Sequence, residues 1–252
     1  MKLLLLGGTA DARKLCALLH SQYPDAELVY SVAGLVRIPQ VPAQIISGGF
    51  RQYGGLAKYC NAQSIDAIVD ATHPFATVMS THARATAHNL GMPYWRFLRP
   101  AWEPQTDDQW HTFSDRQALL QAMQKHQRVL LTMGQVTSEE LSLLNQVSNV
   151  WLRTAVEPHC ELPQQVTWIK AIGPFALADE QKLMQQHQIQ ALACKNSGGD
   201  ATSAKLIAAR ELQLPVYMLQ RPPIDGSAYA HFDQLLSQLN EWHKRWKAHP
   251  GF

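Results

Sequence analysis

The chain has 252 residues, 46% of them hydrophobic and 17% charged, with a formal net charge of +2 at pH 7. Such a chain can bury a sizeable core as one large or two small α/β domains, and its composition argues against disorder. So even a charge balance gives no broad field for duplex nucleic acid or an anionic membrane, and neither is an expected partner.

The amino terminus, MKLLLLGGTA, has four leucines before a glycine pair, too short an apolar run for a signal peptide or a spanning helix. Cytoplasm is therefore the default location. Cys16, Cys60, Cys160 and Cys194 are scattered without CxxC spacing, so reduced thiols are expected, with neither a disulfide framework nor a metal site.

Residues 2–6 form a short apolar run stopped by Gly7 and Gly8, and Ala12, Leu15, Cys16, Leu18 and Leu19 then recur at helical spacing. Further strands are expected at 27–33, 44–46, 65–70 and 93–96, with helices at 56–61 and 75–90 between them. Strands separated by helices need crossover connections, hence a mainly parallel sheet covered on both faces. Residues 99–113, RPAWEPQTDDQWHTF, lose this period and read as a connection or edge strand between domains. A second set follows, with strands at 128–132, 151–156, 168–172, 189–194 and 216–219 and helices at 138–146, 176–186 and 202–212. The expected architecture is two doubly wound, Rossmann-like α/β domains facing across a cleft, divided as 1–113 and 114–252.

In open parallel sheets, ligands bind beyond the carboxyl ends of the strands. GGTADAR follows the first strand and opens the first helix, so Gly7, Gly8, Thr9 and Ala10 can cradle a phosphate, although the GxGxxG spacing is missing and a plain structural turn is the alternative. The second strand ends YSVAG. Ser31, Gly34 and Arg37 lie near its tip with no acid to grip a ribose 2′-hydroxyl, which favours NADPH and leaves NADH possible. Gly48, Gly49 and Phe50 form a glycine-dense turn suited to a flat ligand or simply to a flexible loop. After a central strand comes DATHPFA. Asp70 and His73 are candidate catalytic groups there, and Thr72, Pro74 and Phe75 candidate cofactor contacts; the competing reading makes Asp70 or Thr72 a helix cap.

In the second half, Lys195, Ser197, Gly198 and Gly199 sit between a strand and a helix, where a lysine and free N–H groups can converge on an anion. Arg153 and Arg221 end nearby strands and can add carboxylate donors or serve as solvated surface residues. Nothing in the histidine spacing suggests a metal centre, and no nucleophile elbow or acid pair suggests hydrolysis.

Taken together, GGTADAR, SVAG, GGF, DATHPFA, RP followed by Trp102, KNSGG with Ala204 and Lys205, and RP at Arg221 resemble the precorrin-6A reductase family of cobalamin biosynthesis. The motifs run in order along nearly the whole chain, and DATHPFA with KNSGG is the specific combination. Leu35 and Val36 after SVAG, and Arg51 to Tyr53 after GGF, depart from the family pattern. The resemblance implies an oxidoreductase that reduces a carbon–carbon double bond of precorrin-6A or its cobalt form. It implies NAD(P)H in the first domain and an acidic tetrapyrrole held partly by the second. From the residues alone, a non-catalytic two-domain nucleotide sensor remains open, as do the proton donor, which Asp70, His73 or solvent could supply, and the oligomeric state.

Overall fold

A computed structural model describes residues 1–34 and 39–248, so the candidate Arg37 lies outside the described residues. The chain divides into two compact units, Met1–Pro100 with Pro223–Phe252, and Ala101–Pro222.

The first unit opens with β1 (Lys2–Leu6), whose two-residue side-chain period sends Leu3 and Leu5 to one face of the sheet and Leu4 and Leu6 to the other. All four are essentially buried. At roughly 1.5–3 kcal/mol for each fully buried leucine, this run favours a central strand covered on both faces. There follow α1 (Ala10–Gln22), β2 (Glu27–Val32), β3 (Gln44–Ser47), α2 (Leu56–Ala62), β4 (Ala67–Asp70), α3 (Thr77–Asn89) and β5 (Tyr94–Arg96). The strands pair in parallel in the order β3-β2-β1-β4-β5. Leu15 and Leu19 of α1 cover the face carrying Leu3 and Leu5; Leu56 and Tyr59 of α2, with Ala83 and Ala87 of α3, cover the other. Chain order reverses between β1 and β4. That is the switch point, where crossover helices depart to opposite faces and leave a crevice at the strand ends.

The second unit contains β6 (Trp110–Phe113), α4 (Arg116–Ala122), β7 (Arg128–Thr132), α5 (Ser138–Ser142), β8 (Asn149–Thr154), β9 (Val166–Lys170), α6 (Leu177–Gln186), β10 (Ala191–Lys195), α7 (Ala204–Glu211) and β11 (Val216–Leu219). Its strands are also parallel, in the order β6-β11-β10-β7-β8-β9, with the switch point between β7 and β10. The aperiodic stretch 99–113 thus holds an edge strand, β6, registered against β11 with Trp110 beside Val216 and Phe113 beside Leu219. Its place in the second sheet puts the boundary at 100 instead of 113.

After β11 the chain returns to the first unit. Tyr229 bridges to Phe97, and α8 (Phe232–Ala248) adds Leu235, Leu236 and Leu239 to the cluster of Leu3 and Leu15. The division expected from the sequence keeps 223–252 with the second domain and without a helix. Periodicity identifies a helix's apolar stripe, but not which sheet that stripe covers. Among the described residues, no helix is long and apolar enough to cross a membrane.

Candidate active site

At the first switch point, the loops after β1 and β4 are joined. The Ala71 N–H donates to the Leu6 carbonyl at 2.9 Å, and the buried Thr9 hydroxyl donates to the Ala71 carbonyl, also at 2.9 Å. The same Thr9 oxygen caps α1 by accepting from Ala12 N–H at 3.0 Å. The two glycines before it have different causes. A Cβ on Gly7 would fall 2.2 Å from the Tyr30 ring, so only a glycine lets the chain pass the end of β2. Gly8 holds φ +100° with open space where a Cβ would stand, and its N–H donates to the Tyr30 hydroxyl at 3.1 Å. Ser31, buried at the tip of β2, accepts from Gly7 N–H through its carbonyl at 2.8 Å. Ala10 begins the helix, and Gly34 is exposed beyond β2.

Asp70 is fully buried at the end of β4. One carboxylate oxygen accepts from Thr72 N–H at 3.0 Å and from the Thr72 hydroxyl at 2.7 Å; the other accepts from the Tyr94 hydroxyl at 2.7 Å, with Arg96 Nε at 3.9 Å. Burial first, then the neighbouring Asp70 charge, pushes the Tyr94 hydroxyl pKa up, so it stays a donor. Thr72 also meets Ser80 of α3, hydroxyl to hydroxyl at 3.2 Å. This carboxylate sets the shape of the loop it starts. The capping alternative is not what the bonds show, because α3 begins at Thr77 and its N-cap, Ala76, makes no side-chain bond.

Further along the loop, His73 Nδ1 accepts from Phe75 N–H at 3.2 Å, and the His73 carbonyl accepts from Ala76 N–H at 2.7 Å. Because Nδ1 accepts, the neutral ring carries its hydrogen on Nε2. Pro74 is buried, while Thr72, His73 and Phe75 are half-buried. Beside β3, Gly48 and Gly49 both have positive φ, and the Gln52 amide ties down the Ser47 and Gly49 carbonyls at 2.6 and 2.9 Å. Phe50 is 8% exposed and packs with Leu4, Leu56 and Tyr59, which makes its ring part of the core.

The second unit repeats the plan at its own switch point. Lys195 ends β10, and its Nζ lies 3.7 Å from where a Gly134 Cβ would stand, over the loop after β7. Burial, with Arg116 as the second cause, lowers the Lys195 pKa, and Glu140 partly opposes this. Asn196 exchanges two bonds with the Trp102 backbone at 2.8 and 2.9 Å, and the Trp102 indole donates to the Gly199 carbonyl at 3.0 Å. Arg221 donates to the Asn196 and Ser197 carbonyls at 2.8 and 2.9 Å. The loop is thus pinned from two sides. Gly198 and Gly199 both have positive φ and donate their N–H groups to no other described residue. One assignment looks different in the structure: Arg153 gives its guanidinium to Glu180 in a buried pair at 2.9 and 3.0 Å.

Sequence reading alone does not find the groups that hold these loops, namely Tyr30, Tyr94 and Arg96 in the first unit and Arg116 in the second, and it finds Trp102 only as part of a motif. Tyrosines within apolar strands read as core, and nothing local shows that their hydroxyls reach a neighbouring loop. Lys205, which the sequence marks only as part of a motif, is a buried cation of the second unit. It is 4% exposed, lies 5.4 Å from the Trp102 ring, and burial lowers its pKa. Burial also pushes the Cys16, Cys60 and Cys194 thiols up to about 11, which leaves them protonated and unreactive.

Residues 2–240 match the family described as Precorrin-6x reductase CbiJ/CobK. The chain is 40% identical over 227 residues to the precorrin-6A reductase of Rhodococcus erythropolis, spanning 88% of this chain and 90% of that protein. With the precorrin-6A reductase of Mycobacterium tuberculosis it shares 39% identity over 234 residues, 91% of this chain and 92% of the other. A solved structure of CobK precorrin-6A reductase superposes with a TM-score of 0.84 at 32% identity, covering 95% of this chain and 96% of that one.

Proposed function

The chain belongs to the precorrin-6x reductase family, and on that premise we propose that it reduces one carbon–carbon double bond of precorrin-6A in cobalamin biosynthesis, with NADPH bound by the first unit. The observation that carries this reading is the switch point between β1 and β4, where the glycine turn of Gly7 and Gly8 is tied through Thr9 to the loop of Asp70 to Phe75. A dinucleotide fits such a turn because bare backbone at Gly8 and the start of α1 can approach a pyrophosphate. When bound, the nicotinamide supplies a hydride.

The chain's own residues bind and orient. Asp70 acts as a positioning residue, since its oxygens are used in holding Thr72 and Tyr94. His73, half-buried in the loop that follows β4, lines the crevice and orients the ligand there. Both oxygens of Asp70 are engaged in holding the loop, and we assign the proton that accompanies the hydride to solvent. Lys195 and the N–H groups of Gly198 and Gly199 hold a carboxylate arm of the tetrapyrrole. With no acid in Val32, Ala33 or Gly34 at the end of β2, NADPH is preferred to NADH.

The test is anaerobic addition of precorrin-6A to protein and NADPH while nicotinamide absorbance is followed. Loss of absorbance matched mole for mole by reduced corrin is expected. NADPH binding without oxidation would return the non-catalytic sensor, and turnover of cobalt-precorrin-6A alone would change the substrate.

A further inference from the structure

Behind the crevice loop, on the α3 side of β5, the first unit has a cavity of about 300 Å³ lined by Ser80, Arg84, His88, Tyr94, Arg96 and Asp225, among others. Arg96 is 5% exposed. Its counter-charge, Asp70, stands 3.9 Å from Nε, and the Asp70 oxygens are already engaged by Thr72 and Tyr94 at 2.7–3.0 Å. Nη2 of Arg96 is buried and has no hydrogen-bond partner among the described residues. A buried guanidinium so poorly compensated calls for an anion.

A second guanidinium stands at the wall of the cavity. Arg84 lies flat on the bare backbone of Gly226, where any Cβ would come within 2.3 Å of its Nη1. Asp225 is the one acid lining the cavity, and among the described residues it pairs with neither arginine. Two guanidinium groups, the His88 ring and the Ser80 and Tyr94 hydroxyls therefore border one small space.

We propose that this cavity binds a small oxyanion of the phosphate class, separate from the crevice beyond the strand ends. Guanidinium forks suit the paired oxygens of phosphate, and the His88 ring can donate to another oxygen of a tetrahedral ion. The same chemistry describes free phosphate and a phosphoryl group on a small metabolite, so inorganic phosphate and ribose 5-phosphate are the probes.

Each is titrated calorimetrically into the full chain at constant ionic strength, with chloride as the reference. Saturable binding is expected, at least tenfold weaker in Arg84→Gln. Tighter binding of inorganic phosphate would identify a free ion, and tighter binding of ribose 5-phosphate a phosphorylated metabolite. Gly8→Val, in the crevice, should leave both titrations unchanged. The proposal is overturned if neither probe saturates, if Arg84→Gln binds as tightly as the parent, or if Gly8→Val alone abolishes binding. Circular dichroism of each variant establishes that it is folded.

Discussion

The Thr9 hydroxyl, 2.9 Å from the Ala71 carbonyl, ties the turn after β1 to the loop after β4 while the same oxygen caps α1. One side chain therefore sets both the helix start and the spacing of two candidate binding loops. Thr9→Val should lower stability by about 1–2 kcal/mol, the scale of a lost cap and buried hydrogen bond, and should weaken NADPH binding as well. Thr9→Ser keeps the oxygen and should restore both. Thermal melts and NADPH titration of the pair decide it; a valine variant unchanged in both would remove Thr9 from the site.

The adjacent glycines should fail in different ways. Gly7→Ala drives a methyl into the Tyr30 ring and should cost roughly 1–3 kcal/mol of stability, the usual range for overpacking. Gly8→Val meets open space, so beyond the strain of its positive φ the loss should be in ligand binding, with NADPH affinity down at least tenfold, or about 1.4 kcal/mol. Unchanged NADPH affinity in Gly8→Val, or NADH binding tenfold tighter than NADPH in the parent, would contradict the cofactor assignment.

These pairs show what the sequence could and could not tell. Strand, glycine turn and helix at 2–22 are legible because burying Leu3 to Leu6 on both faces leaves no other use for the run, and because glycine tolerates the turn. DATHPFA reads as a strand-end loop for the same reason. The partner of Asp70 is not legible, since Tyr94 lies 24 residues away and meets it only once β4 and β5 pair. The placement of α8 is hidden similarly. Its leucines fit any apolar sheet face, and only the folded chain shows that α8 lies beside β5, with Trp242 against Trp95, and joins the cluster of Leu3 and Leu15.

Asp70 and His73 should separate stability from turnover. Asp70→Asn strips the buried Arg96 of its counter-charge and should cost several kcal/mol of stability, roughly 3–5 for a broken buried pair. His73→Ala removes a half-buried ring and should lower kcat far more than the melting temperature. Steady-state kinetics beside thermal melts test both, and equal losses of activity and stability in His73→Ala would make that ring structural.

Arg153 tests the reassignment made by its buried pair. Arg153→Ala takes from the buried Glu180 the guanidinium that pairs with it and should destabilise by roughly 3–5 kcal/mol, whereas replacing both partners with apolar residues of similar volume should recover most of the loss. The double variant should keep the parent KM for the tetrapyrrole. A folded double variant with a tenfold higher KM would return Arg153 to the substrate site.

Lys195 carries the charge we assign to a carboxylate arm, and its lowered pKa makes the assignment readable against pH. Burial and Arg116 disfavour the ammonium form in the folded protein, so between the lowered value and the unfolded one the unfolded chain binds the extra proton, and stability rises with pH across that window. Substrate binding runs the other way. An anion beside Lys195 favours the protonated amine, so the KM for the tetrapyrrole should climb as pH passes upward through the lowered value, while NADPH affinity stays level. In Lys195→Met the climb should vanish. The KM should also be raised at neutral pH, by an amount corresponding to roughly 1–3 kcal/mol for a lost charge-assisted bond. Kinetics with each ligand varied in turn across the alkaline range provide the measurement. A methionine variant that lost NADPH affinity while its tetrapyrrole KM held steady would move the cofactor to the second unit and reverse the division of roles between the two glycine loops.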